Sequence, residues 1–366
     1  MQGRDRHLRP RGDPSGEQGV WVIGEGGEGG LGGCVGSMES DAYRASVANL
    51  QQVLSEFREA EGGEWIAPRV RGACVALRLA AQASDEAARR RGESGVSMDD
   101  AGRQLQKVFT AAMQGGAGKR GAALHTITQL FKIYFRLNTL RLCKNLVKAF
   151  EGQQGVQPSA GGGRGVDGAY ATYKFYVGRL AMFEERFGEA DGDLTQSLMH
   201  CLPGHASNAA RVLRYLIPVK LMAGKVPKVK FLNRYGLSNE YGTLSRSVRL
   251  GHVEQFNADL RSQARVYIRR GNYLTLERLR LMVYRNLLRH VHHVHKQVVG
   301  EGSATSFQVP LVLFSIALDF VGGSLPAEEL ECIVAGLIYS RFVKGYISHS
   351  KQTLVLSKIN PFPHMG

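Results

Sequence analysis

"GYISHSKQTLVLS", residues 345–357, decides how the chain ends. Tyr346, Ser348 and Ser350 fall on one parity and Ile347 and His349 on the other; a polar turn follows, then Thr353-Leu354-Val355-Leu356. Alternation with period two on both sides of a polar turn marks a β-hairpin. The rest of the chain reads helical, so this lone hairpin must belong to a particular small module.

The residues before it identify that module. "SFQVP" (306–310) reads as a short strand, "PLVLFSIALDF" (310–320) as a helix, and "PAEELECIVAGLIYSRFV" (326–343) as a second helix with Pro326 at its first position. Glu328, Glu329 and Glu331 sit in or near the first turn, where they complement the positive end of the helix dipole. Short strand, helix, helix, strand, turn, strand after a preceding helix is the order of a winged helix, and the hairpin is its wing.

Further upstream, "LHTITQLFKIYFRLNTLRLCKNLVKAF" (124–150) predicts a helical hairpin with a corner at Asn138-Thr139. "YATYKFYVGRLAMFEERFGEADGDL" (170–194) predicts a second, in which Gly178 allows close helix approach. One corner pattern recurs: Asn138/Leu140/Cys143/Val147, Glu185/Phe187/Ala190/Leu194 and Gly251/Val253/Phe256/Leu260. The intervals between corners are irregular, which describes a degenerate, tetratricopeptide-like array. No single hairpin has enough apolar surface to fold alone, so neighbours must stack into a solenoid. The fold class expected is mostly α, a helical-repeat solenoid ending in a winged helix. The divisions are a Gly-rich disordered tail (1–37), N-terminal repeats (38–150) with only weak helical periodicity before residue 113, a flexible loop (151–168), the main solenoid (169–299) and the winged helix (300–366). Within the solenoid, "YLTLERLRLMVYRNLLRHVHHVHKQV" (273–298) reads as one long helix.

The 366 residues carry a formal net charge of +15. That excess favours nucleic acid, an anionic membrane or an acidic protein as partner. It is concentrated in residues 211–290, with 17 Lys and Arg against four Asp and Glu. No run of 18 apolar residues suggests a membrane span, and the charged, Gly-rich start lacks the apolar stretch of a signal peptide. Five dispersed cysteines without a C-x-x-C pair predict reduced, mostly buried thiols of the cytosol or nucleus.

Five blocks carry a family resemblance: "TQLFKIYFRLNTLRLCKNL" (128–146), "TYKFYVGRLAMF" (172–183), "YLIPVKLMAG" (215–224), "VYRNL" (283–287) and "CIVAGLIYSRFVKGYISHSKQTLVLSKINPFP" (332–363). Together they resemble the PCI-domain family, and within it the PCI subunits of transcription-export complex 2, over roughly residues 124–366. Fainter traces stand at "GEWIAPRVRGACVALRLAA" (63–81), and the N-terminal region departs from the family in being Gly-rich. The resemblance implies a nuclear, pore-associated and also cytoplasmic protein that couples transcription to mRNA export. It implies as partners a large Sac-type (GANP-like) scaffold, a small acidic protein shared with the proteasome lid, and RNA or DNA, with no membrane and no small-molecule substrate. A structural PCI subunit of another, lid-like assembly without RNA contact is the alternative. Lid-type subunits carry a helix beyond the wing; here Pro361 and Pro363 oppose one.

The wing and its supports offer Arg341, Lys344, His349, Lys351 and Lys358 to phosphates, the contact winged helices make without reading bases. Lys225, Lys228, Lys230, Arg285 and Arg289 extend that footprint, or meet the acidic partner. Tyr339, Phe342 and Phe362 are the expected docking residues for that partner. "RHVHHVHK" (289–296) has the look of a metal site, but zinc wants three or four converging ligands and no Cys or carboxylate lies near in sequence; no metal or other cofactor is expected. G-x-G-x-x-G at Gly24, Gly26 and Gly29 is followed by more glycine instead of a helix, and "GGAGKRG" (115–121) lacks the spacing and the Ser/Thr of a phosphate loop. Without G-x-S-x-G, H-E-x-x-H or a Cys/His pair, an enzyme is not expected, and Glu184-Glu185 reads as a solvated helix edge.

Overall fold

The computed structural model describes residues 35–152, 164–201, 204–300 and 303–363. The N-terminal repeats are α1 (Val35–Glu59), α2 (Ala67–Arg90), α3 (Ser97–Gln114), α4 (Ala117–Arg136) and α5 (Leu140–Glu151). The solenoid continues through α6 (Arg164–Phe183), α7 (Phe187–Met199), α8 (Ala206–Met222), α9 (Val229–Arg234), α10 (Ser238–Leu250), α11 (Val253–Ser262), α12 (Ala264–Arg270), α13 (Tyr273–Arg278) and α14 (Arg280–Val299). The C-terminal module follows: a 3₁₀ turn (Ala304–Phe307), β1 (Gln308–Pro310), α15 (Leu311–Phe320), α16 (Ala327–Tyr339), β2 (Gly345–Ser348) and β3 (Thr353–Leu356). No described helix is long and apolar enough to cross a membrane.

The three expected corners are where the chain turns. Asn138, Glu185 and Gly251 all adopt positive φ, and each following helix begins two residues later. Cys143, Ala190, Leu194, Val253, Phe256 and Leu260 are buried against the preceding helices. Gly178 permits the α6–α7 approach, since a β-carbon there would lie 2.7 Å from Leu194 Cγ. In the first half, α2, α4, α6 and α8 touch in series, and α1 also touches α3.

The weak periodicity before residue 113 conceals three full helices. α3 has Val96 at its N-cap, which cannot accept a hydrogen bond from the first turn. The buried Asp85 of α2 does so instead, accepting from Ser97 N (2.8 Å) and Met98 N (3.1 Å). A cap supplied from another helix leaves no local signature.

Several boundaries differ from the sequence reading. The helix begins at Val35, before Met38; residues 1–34, with Cys34 and the G-x-G-x-x-G, lie outside the described residues, as does 153–163 of the expected loop. α6 already starts at Arg164, inside that loop, and α4 runs through "AGKRG". The single helix expected from 273 is two, parted at Leu279. The second winged-helix helix stops at Tyr339 instead of Val343, because Arg341 takes positive φ (60°) and Phe342 N bonds back to Leu337 O at 2.9 Å. Pro326 is its N-cap residue, one place before the expected position. Cys74 and Cys143 are buried as expected, Cys201 half-buried, and Cys332 exposed on α16.

The sheet order is β1-β3-β2, antiparallel throughout, with Val309 opposite Leu354 and Tyr346 opposite Val355. Leu354 and Leu356 point into the core beside Val309, Phe314 and Leu337. Gly345 is dictated by the ladder itself, because a β-carbon would collide with Val355 O.

Candidate nucleic-acid and partner interface

The wing is fixed at base and tip. At the base, Lys344 N donates to Pro361 O and Ser357 N donates to Lys344 O, both at 2.8 Å. This brings Lys344 and Lys358 together, both with side chains in solvent. Lys351 occupies the turn, four residues and about 13 Å along the strands. At the tip, His349 Nδ1 lies 2.9 Å from Glu331 Oε1 of α16. His349 is therefore a tether between wing and helix first, with a carboxylate beside it that opposes a phosphate. Arg341 is exposed at the α16 terminus. Between the cations on β2 stands Tyr346, 64 % exposed; the alternation had shown its parity, but which parity faces solvent depends on the core that β2 meets.

Two residues expected at the interface are part of the interior. Arg285 is 5 % exposed. It donates from Nε to Phe342 O (3.1 Å) and from Nη2 to Pro363 O (2.8 Å), with Nη1 on Asn286 Oδ1 (3.2 Å). It ties the last solenoid helix to both flanks of the wing and cannot reach a phosphate. Phe342 is 4 % exposed and is a core residue, not a docking one. Phe362 is half-buried beneath the Arg285 guanidinium and beside His292, with its ring centroid 5.8 Å from each. Only Tyr339, 91 % exposed, remains as an open docking residue. Val312, Ile316 and Phe320 add an exposed stripe on α15 at i, i+4 and i+8 that sequence reasoning missed, because a helix as apolar as α15 does not show which stripe is covered.

Arg289 is exposed on α14. Lys225, Lys228 and Lys230 are also exposed, but on the loop before α9 and in α9 itself, which packs on α10. Lys225 Nζ lies 3.9 Å from Asp191, which also holds Lys220. Glu184 and Glu185 are helix-edge residues, paired with Lys144 and Arg186 and with Arg278 respectively.

The histidine tract does not converge; among the described residues no group of His, Cys, Asp and Glu could hold a metal ion. His292 is instead packed between Phe307 and Phe362. Burial, then the neighbouring His295 and Lys296, hold it below the ordinary 6.5. The folded state thus resists protonation that the unfolded chain accepts, so this contribution is present above pH 6.5 and lost as pH falls below it. Denaturant melts at pH 7.5 and 5.5 should show lower stability at pH 5.5, with a smaller difference in His292→Phe; an unchanged difference would remove His292 from the account.

A PCI domain model matches residues 253–358, from α11 through the wing. The chain is 34% identical over 89% of its length to PCI domain-containing protein 2 of Danio rerio, covering 80% of that protein. To the Drosophila melanogaster homologue it is 34% identical with the same coverages. To the Arabidopsis thaliana protein named enhanced ethylene response protein 5 it is 33% identical over 89% of this chain and 76% of that protein. With a stacked-helix body, a winged helix at its end and similarity that spans about four fifths of these relatives, the chain belongs to the PCI domain-containing protein 2 family.

Proposed function

We propose that this PCI-family subunit is a non-enzymatic scaffold that binds RNA within a nuclear-pore-associated, transcription-coupled mRNA export complex. One observation carries the reading. Lys344, Lys351 and Lys358 surround an exposed Tyr346 on a hairpin held at both ends, so cations and one aromatic face are presented without the cost of ordering a loop. The solenoid holds the large scaffold partner along its helices; Tyr339 and the α15 stripe receive protein. Nuclear localisation and the acidic partner belong to the same proposal.

Charge reversal of the pair, Lys344→Glu with Lys351→Glu, is expected to weaken RNA binding at least tenfold at low salt and flatten its salt dependence, while circular dichroism stays native. Unchanged filter binding would reject the wing as a contact. The exposed Tyr339 and α15 stripe also favour a second reading, a structural subunit whose winged helix docks only protein. Affinity purification with and without RNase separates the two: lid-type subunits without RNA would favour the second.

A further inference from the structure

Two glycine-rich breaks of the first half, "EGGE" (61–64) and "GGAGKRG" (115–121), meet in space and hold one lysine between them. Gly62 and Gly63 turn the chain from α1 to α2 with φ of +75° and +71°. A β-carbon at Gly63 would run into Lys119 Cγ, and one at Gly115 would lie 2.5 Å from Lys119 Cδ. Gly118 lets the start of α4 approach the corner, since a β-carbon there would collide with Gly62 O. The half-buried stem of Lys119 thus lies in a slot that exists because its neighbours lack side chains. Its ammonium donates to Arg58 O at 3.1 Å and sits 5.2 Å from the centroid of the Phe57 ring. A lysine restrained in this way has already lost rotamer freedom that an exposed one gives up on binding.

Lys119 forms one wall of a cavity of about 600 Å³ between α1, α3 and the start of α4. Arg58 enters from the last turn of α1, and Arg103 and Lys107 from successive turns of α3. The remaining wall is two glutamines, a threonine, an alanine and a glycine. Among the described residues no carboxylate lines this cavity, and its wall contains neither an aromatic ring nor a large aliphatic side chain. Arg103 is shared with Asp99 and Asp100 of its own helix, at 2.5 and 3.4 Å. Arg58, Lys107 and Lys119 have no carboxylate partner among the described residues; Lys107 Nζ donates to Gln104 Oε1 at 3.2 Å, on its own helix. Three cations without countercharge and a fourth partly compensated therefore converge on one space from three helices.

We propose that this cavity binds a small polyol carrying two or more phosphate monoesters. Each such group bears about −1.5 to −2 charges at pH 7 and three strong acceptor oxygens, so two of them match the cations present. The volume lies in the range of small-ligand sites, about 300–1,000 Å³. The glutamine amides and the threonine hydroxyl suit the free hydroxyls of a polyol. A nucleobase would find no ring to stack on there, in contrast to the wing with its exposed Tyr346, and an acyl chain would find no apolar wall. Bound phosphates would bridge α1, α3 and α4 and stiffen the beginning of the solenoid.

The test uses the full chain and D-myo-inositol 1,4,5-trisphosphate, with ATP in parallel as a ligand that also carries three phosphates but has a base. Titration calorimetry should show saturable binding of the trisphosphate, at least tenfold tighter than ATP, and the ligand should raise the melting temperature. Arg58→Gln with Lys107→Gln should weaken it at least tenfold, whereas Lys344→Glu with Lys351→Glu on the wing should leave it unchanged. Lys107→Gln alone removes a side chain bonded only within its own helix, so it should melt like the parent and still bind several-fold more weakly, which guards against loss of fold in the double variant. Phosphatidylcholine vesicles carrying phosphatidylinositol 4,5-bisphosphate identify the source. Binding of the free compound without cosedimentation assigns a soluble polyol phosphate; cosedimentation that the cavity variant also loses assigns its lipid-linked form. No measurable binding of the trisphosphate, equal binding by the cavity variants, loss through the wing variant instead, or ATP bound as tightly would each overturn the proposal.

Discussion

Arg285→Ala is expected to cost about 3–5 kcal/mol and to loosen the winged helix from the solenoid. The side chain bonds two backbone carbonyls 57 and 78 residues downstream, Phe342 O and Pro363 O, and covers the Phe362 ring. Truncation leaves those carbonyls without their donor and opens space under Phe362; hydrogen bonds from a charged donor contribute about 1.5–3 kcal/mol each, and breaking such a buried arrangement falls in the range given. Arg285→Lys should recover less than half, since one ammonium cannot span two diverging acceptors that a planar fork reaches. Urea denaturation measures the loss, and limited proteolysis should show earlier cleavage around 357–363. A loss under about 1 kcal/mol would mean that apolar packing alone holds the junction.

Gly251→Val is expected to be comparably severe, on the order of 4 kcal/mol. Two separate demands meet at this corner. The backbone has φ of +75°, and a β-carbon would lie 2.6 Å from Leu287 N of α14. The first demand alone is mild: Asn138 and Glu185 occupy the corresponding corners with positive φ and ordinary side chains. The second is not, because the obstacle is backbone in the middle of a buried helix. Gly271 supplies the contrast, with φ of +74° and nothing nearer than Phe183 Cζ at 3.7 Å. Gly271→Asn should therefore be nearly neutral, where Gly251→Asn is not. Equal tolerance at both positions would show that corner conformation, not the approach of α14, sets the requirement.

The two predictions bear on how the wing is presented. If Arg285 locks the junction and Gly251 lets α14 close on the α10–α11 corner, the wing is a rigid extension of the solenoid. Charge reversal on the wing can then be read as a change in contact, because neither Lys344 nor Lys351 takes part in the lock through its side chain.

Much of the architecture was written in local pattern. The wing followed from alternation around a polar turn, and the corners at Asn138, Glu185 and Gly251 followed from apolar spacing, since both signals arise between residues a few positions apart. Element ends were less legible. α16 stops at Tyr339 because Phe342 and Val343 are drawn into the core, and α3 is capped by Asp85 from a neighbouring helix.

The candidate site divides along the same line. Sequence determined that a basic chain ends in a hairpin with Lys344, Lys351 and Lys358 on or beside it, because net charge and period are properties of neighbours along the chain. Tertiary structure alone decided that Arg285 and Phe342 turn inward and that Tyr339 and Tyr346 stay outside. A cation's role depends on whether the nearest carbonyl, ring or carboxylate is brought to it from a distant segment, and that is settled only when the helices pack.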